Sequence, residues 1–157
     1  MEKPTTLMLL LSGLLIVVLL LAGYYKLEIA KKNNIITRVE PNPSCDLQKS
    51  ACSLKLPAGG DITLDISPKP IPLVQNFTIQ VSTDGLKTEA VSIDFKGTTM
   101  NMGPNNVTLK QQNDQSFSGT GMLPVCIRNS MEWQADVYVQ TSEGIVVAPF
   151  VFVTSKH

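Results

Sequence analysis

The chemistry this chain offers is sulfur chemistry. Met100 and Met102 stand one residue apart in "GTTMNMGPNN", a small, polar stretch with no hydrophobic run on either side. Met122, Cys126 and Met131 follow, the last two within "LPVCIRNSMEW", and Trp133 comes two residues after Met131. The remaining methionines are Met1 and Met8, so the apolar segments between residue 40 and Gly97 use none. Filling gaps in apolar interiors is methionine's ordinary task. Soft thiolate and thioether donors select cuprous copper, whereas carboxylate and water suit harder ions. Cys126 with Met100, Met102 and Met131 would supply such a set without a histidine, and Trp133 would cap it through a cation–π contact. Met122 is a further candidate donor that no motif supports. A packing reading uses the same residues: methionines line one end of a domain, and Cys126 is a buried, inert thiol.

Other chemistries find little support. The single histidine is His157 at the C-terminus, and Ser–His or Cys–His nucleophilic catalysis would have to rely on it. No glycine-rich phosphate loop and no paired carboxylates stand out. The reading is of a protein that is not an enzyme. From Glu40 onward there are 11 acidic and 8 basic residues, which is no basic face for nucleic acid.

Whatever site exists must be held by the elements around it. "LMLLLSGLLIVVLLLAGYY", Leu7 to Tyr25, has no charge over 19 residues, close to the 20 or so that cross a bilayer. A cleaved signal peptide has a shorter apolar region ending in small residues. Here Tyr24 and Tyr25 occupy that place, and tyrosine suits the membrane interface. The expectation is an uncleaved transmembrane anchor over residues 1–25, a linker over 26–44 and an exported domain over 45–157. Lysines and arginines are more numerous after the span than before it, which alone would favour a cytoplasmic domain. Large domains nevertheless translocate largely regardless of such charges. Cys45 and Cys52 flank "DLQKSA". Six intervening residues do not make a zinc knuckle. A small loop disulfide fits better and implies an oxidising compartment; two unrelated thiols are the alternative.

Beyond the linker, apolar residues alternate in short runs. "DITLDIS" puts Ile62, Leu64 and Ile66 on one face; "FTIQVST" does so with Phe77, Ile79 and Val81, and "AVSIDF" with Val91, Ile93 and Phe95. "NVTLK", "SFSGTG", "QADVYVQT" and "IVVAPFVFV" follow between Pro, Gly, Asn and Asp punctuation. "SPKPIP" is too proline-rich for a central strand and reads as a connection. The pattern predicts an all-β, immunoglobulin-like antiparallel sandwich of about seven or eight strands. Loops at one end of such a sandwich cluster, so the "TMNMG" and "LPVCIRNSMEW" segments are expected to converge. If "TMNMG" is extended, its two methionines face one side.

The segments "FKGTTMNMGPNNVTL", "LPVCIRNSMEW" and "CDLQKSAC" together resemble a family of small membrane-anchored bacterial proteins associated with Sco-type copper chaperones and cytochrome oxidase assembly. The span Cys45 to about Phe152 is more loosely similar to YtkA-like and FixH-like domains. The resemblance implies a copper(I)-binding accessory protein or metallochaperone with Met100, Met102, Cys126 and Met131 as ligands. It implies a Sco-type chaperone or a cytochrome oxidase subunit as partner, and a single-pass location in the bacterial inner membrane with the domain in the periplasm. The alternative is a metal-free sandwich that docks on a membrane complex as an interaction or assembly protein.

Overall fold

The structure is a computed structural model that describes residues 4–125 and 129–156. Helix α1 (Pro4–Lys32) opens the chain. Its stretch Met8–Lys31 has a mean hydropathy of 2.4 and no buried residue, the character of a membrane anchor or a signal sequence. Ten strands follow: β1 (Ile35–Arg38), β2 (Cys52–Lys55), β3 (Asp61–Ser67), β4 (Asn76–Asp84), β5 (Thr88–Gly97), β6 (Asn106–Thr108), β7 (Lys110–Asn113), β8 (Ser116–Met122), β9 (Ser130–Thr141) and β10 (Ile145–Ser155).

They form two five-stranded sheets, in the orders β1-β10-β9-β5-β6 and β2-β3-β4-β8-β7. With β3 to β10 lettered A, B, C, C′, D, E, F and G, the orders become G-F-C-C′ and A-B-E-D, the immunoglobulin arrangement. Every pairing is antiparallel except β1 on β10. The core lies between the sheets because alternate residues of each strand turn inward. Ile62, Leu64, Ile66 and Ile79 of one sheet are fully buried, as are Ile93, Phe95 and Val137 of the other. Phe77 and Phe95 meet across the interface edge to face, with ring centroids 5.7 Å apart, a favoured geometry for aromatic pairs.

The strand count exceeds the expected seven or eight for three local reasons. "NVTLK" divides at Leu109, where the chain leaves one sheet for the other. The Leu109 N–H donates to the Val91 carbonyl at 2.9 Å while its side chain is buried. β2 is short. β1 is mostly exposed and exists because β10 offers an open edge. The expected linker 26–44 is therefore corrected: α1 continues to Lys32, and β1 is bonded into the sheet. Pro149 sits inside β10 without interrupting the sandwich. β1 pairs only with Ile145 to Val147, so the missing N–H falls where proline is tolerated, beside an open edge.

Cys45 and Cys52 are bridged, with their Cα atoms 5.7 Å apart. The loop they close sends Leu47 into the core. It also places Gln48, whose Nε2 donates to the Val153 carbonyl at 2.6 Å and whose Oε1 accepts the Ile71 N–H at 2.7 Å. Mass mapping of the oxidised chain is expected to find this pair linked. Its replacement by two serines should lower stability by at most about 2.5 kcal/mol on the chain-entropy model for so short a loop. Cys126 linked to either partner would overturn this pairing.

Candidate functional site

The connection from β5 to β6 and the one from β8 to β9 lie at the same end of the sandwich. Gly97, the last residue of β5, pairs with Trp133 of β9, and Trp133 pairs with Phe152 of β10. The ladder runs one step further: the Thr98 N–H donates to the Glu132 carbonyl at 3.1 Å, and Thr98 Oγ1 donates to Glu132 Oε1 at 2.7 Å. Residues 98–105 are then bends and coil rather than strand, so "TMNMG" is not extended. A side-chain turn shapes it instead. Asn101 Oδ1 accepts the Gly103 N–H at 2.9 Å, and Gly103 has a φ of 77°, which glycine adopts without steric cost. The return is fastened twice, by Phe95 N–H to the Asn105 carbonyl at 3.0 Å and by Asn105 Nδ2 to the Met122 carbonyl at 3.0 Å.

Despite the coil, the methionines gather. Met100 and Met102 are half-buried and pack against the core. Met131, the first inward residue of β9, is 4% exposed. A Cβ added to Gly97 would collide with the Met131 methyl, stand 2.5 Å from the Met100 carbonyl oxygen and lie 3.2 Å from Met102 Cγ. The side chains of Met102 and Met131 thus both border the space that Gly97 leaves open. Thr99 Oγ1 donates weakly to Met131 Sδ at 3.8 Å, so Thr99 orients the buried sulfur. Gly97 and Thr99 are site residues that the motif reading passed over. The available signal was a glycine between the last inward aromatic of "AVSIDF" and the methionine pair.

The remaining candidates are placed differently. Met122 is 49% exposed at the end of β8, where its carbonyl accepts from Asn105. Trp133 is not a cap over the site. Its side chain is fully buried, and its indole N–H donates to Thr154 Oγ1 at 3.0 Å. It points to the same face of β9 as Met131, two residues along, and forms the apolar interior beneath the methionines. Cys126 lies outside the described residues.

Met100 and Met102 line an open concavity of about 690 Å³ together with Asp94, Lys96 and Pro104. A charged network stands on its wall. Asp136, 1% exposed, accepts from Arg38 Nη2 at 3.1 Å, Lys96 Nζ at 3.1 Å and Gln134 Nε2 at 2.8 Å. Lys96 also reaches Asp94 at 3.0 Å and the Tyr138 hydroxyl at 3.3 Å. Burial pulls the Lys96 pKa down, but its bonds to Asp94, Asp136 and Tyr138 outweigh this and hold it well above the ordinary lysine value. Two cations are thereby matched by two carboxylates, and the methionine end meets no net charge from this network.

Among the described residues, no three His, Cys, Asp or Glu side chains are grouped to hold a metal; the donor type collected at this end is the thioether. The chain matches no family model, no curated protein and no solved structure.

Proposed function

We propose that this protein is a membrane-tethered, extracytoplasmic copper(I)-binding accessory protein that passes its ion to a Sco-type chaperone or a cytochrome oxidase subunit during copper-site assembly. The observation that carries this reading is the approach of Met102, from the β5–β6 connection, and Met131, from the start of β9, to the same space over Gly97. Thioethers brought together beside an open concavity suit a soft monovalent cation. Met131 is the deep donor, held by Thr99. Met100 and Met102 are the outer donors on a connection reached from solvent, and Cys126 of the neighbouring connection supplies the thiolate. Exchange would proceed by ligand substitution, with a partner's thiolates displacing the outer thioethers first. α1 is read as the retained anchor in the bacterial inner membrane, and the Cys45–Cys52 bridge supports a periplasmic domain, since disulfides persist in oxidising compartments.

A second reading, a metal-free interaction module, is favoured by a different feature. A groove of about 660 Å³ lined by Ile71, Leu73, Val74, Val125 and Val153 leaves three valines 47–58% exposed. Copper titration separates the two. Under reducing conditions and in competition with a cuprous chelator, the full chain is expected to take up one cuprous ion. No uptake would mean that the methionines are packing and would leave the interaction module.

A further inference from the structure

We propose that the sandwich stands on the bilayer by the end opposite the methionines, with the β2–β3, β4–β5 and β9–β10 connections against the lipid headgroups. The inference rests on α1 being a retained anchor and is independent of any metal. It starts from the shortness of the join. Only Asn33 and Asn34 separate α1 from β1, and β1 is bonded into the sheet from its first residue. The Ile145 N–H donates to the Asn34 carbonyl at 2.8 Å, and Ile35 pairs with Ile145. Gly144 packs so closely there that a Cβ would meet the Asn34 oxygen and Ile36 Cγ2, each at 2.6 Å. The chain therefore enters the domain at the β9–β10 turn and has no slack with which to swing away.

The height of that entry follows from α1. The apolar run ends at Tyr25 and the helix at Lys32. At about 1.5 Å per residue this adds roughly 10 Å, enough to traverse a headgroup layer of about 5–7 Å. The sandwich thus begins where the headgroups end. The surface it presents there fits the contact. Ile35 and Ile36 are 52% and 45% exposed. Ile36 also lines a concavity of about 320 Å³ with Leu56, Pro57, Ala58, Leu86 and Val146. Exposed Lys55 and Lys87 share this end with exposed Asp84 and Glu143, so the contact is apolar rather than an attraction to anionic lipid.

The consequence concerns the other end. From Ile145 to Phe152, the strand partner of the Gly97–Trp133 pair, β10 advances seven residues, or roughly 23 Å at the usual rise of a strand. A partner must meet the methionines at about that height above the membrane, on a projecting domain and not in the lipid plane.

The test uses the full chain in phosphatidylcholine vesicles carrying headgroup-nitroxide lipid. A fluorophore is attached at Ala58→Cys, Ser142→Cys or Asn101→Cys, each in a Cys126→Ser background. Labels at positions 58 and 142 are expected to lose most of their emission, and the label at 101 almost none, with no change when anionic lipid is added. Equal quenching at all three positions, quenching at 101 alone, or quenching at none overturns the orientation. Flotation of the same vesicles distinguishes the cause. A chain that floats but shows the wrong pattern refutes the orientation, whereas a chain that fails to float refutes the anchor and the orientation with it.

Discussion

Exchanging Met100 and Met102 together for leucine is expected to leave the sandwich folded while lowering cuprous affinity by at least about 100-fold, or about 2.8 kcal/mol. Leucine conserves volume, and such swaps usually cost less than about 1.5 kcal/mol even in cores. Both side chains are only half-buried, so the cost should lie at the low end. Leucine has no donor atom, so the outer half of the thioether set disappears. Cys126→Ser should weaken binding further by removing the one thiolate available, the strongest soft donor of the set. The competition assay with a cuprous chelator reads affinity, and thermal unfolding of the same proteins reads stability. The copper reading predicts that affinity falls while the midpoint barely moves. Packing predicts the reverse, a midpoint that drops with Cys126→Ser and no affinity to lose.

Gly97→Ala is expected to be as damaging as a substitution deep in the core, although it adds one methyl group at a strand end. The new Cβ would collide with the Met131 methyl and lie 2.5 Å from the Met100 carbonyl oxygen. One of these is the tip of a flexible side chain, but the other is backbone, so the connection itself must shift. Overpacking of this kind costs about 1–3 kcal/mol, and the upper part of that range is expected because backbone is involved. The midpoint should fall by roughly 8–12 °C for a domain of this size. Met131→Ala alone opens a cavity and should cost about 2–5 kcal/mol. The two changes together should cost less than their sum, because truncating Met131 clears one of the two clashes. Coupling between touching residues is commonly about 0.5–3 kcal/mol. Strict additivity would show that Gly97 and Met131 do not meet. Gly97→Ala should also reduce cuprous uptake, since it displaces the connection that carries Met100 and Met102 and the side chain of Met131.

Much of the sandwich was legible in the chain. "DITLDIS" is β3 from end to end, and the inward residues read from alternation in β3, β4 and β5 are all buried. "SPKPIP" beyond its first serine lies in the connection between β3 and β4 that its prolines suggest. Alternation is written by neighbours two residues apart, so it survives without knowledge of the partner strand. The misses share the opposite property. β1 shows little alternation and is a strand only because β10 leaves an edge beside Ile145 to Val147. "TMNMG" does not meet the condition of an extended backbone, because the Asn101–Gly103 turn and the glycine φ bend it locally.

The site divides along the same line. That sulfur side chains concentrate between positions 100 and 131 can be read from residue types; that Met131 belongs to the start of β9 rather than to a loop cannot. Which methionines border the space over Gly97 depends on the register of β5 on β9. Gly97 stands opposite Trp133, so Met131, two residues earlier on the same face, reaches the space a Cβ would have filled. A slip of one residue would turn Met131 and Trp133 outward together. By residue type alone Trp133 is an aromatic available to cap a cation, but the fold places its ring inside and gives its N–H to Thr154, a strand away. An indole is buried when the apolar surface it hides outweighs its single polar group and that group finds an acceptor. Whether an acceptor stands there depends on the pairing of β9 with β10, and strands brought into register over long range decide such contacts where local composition does not.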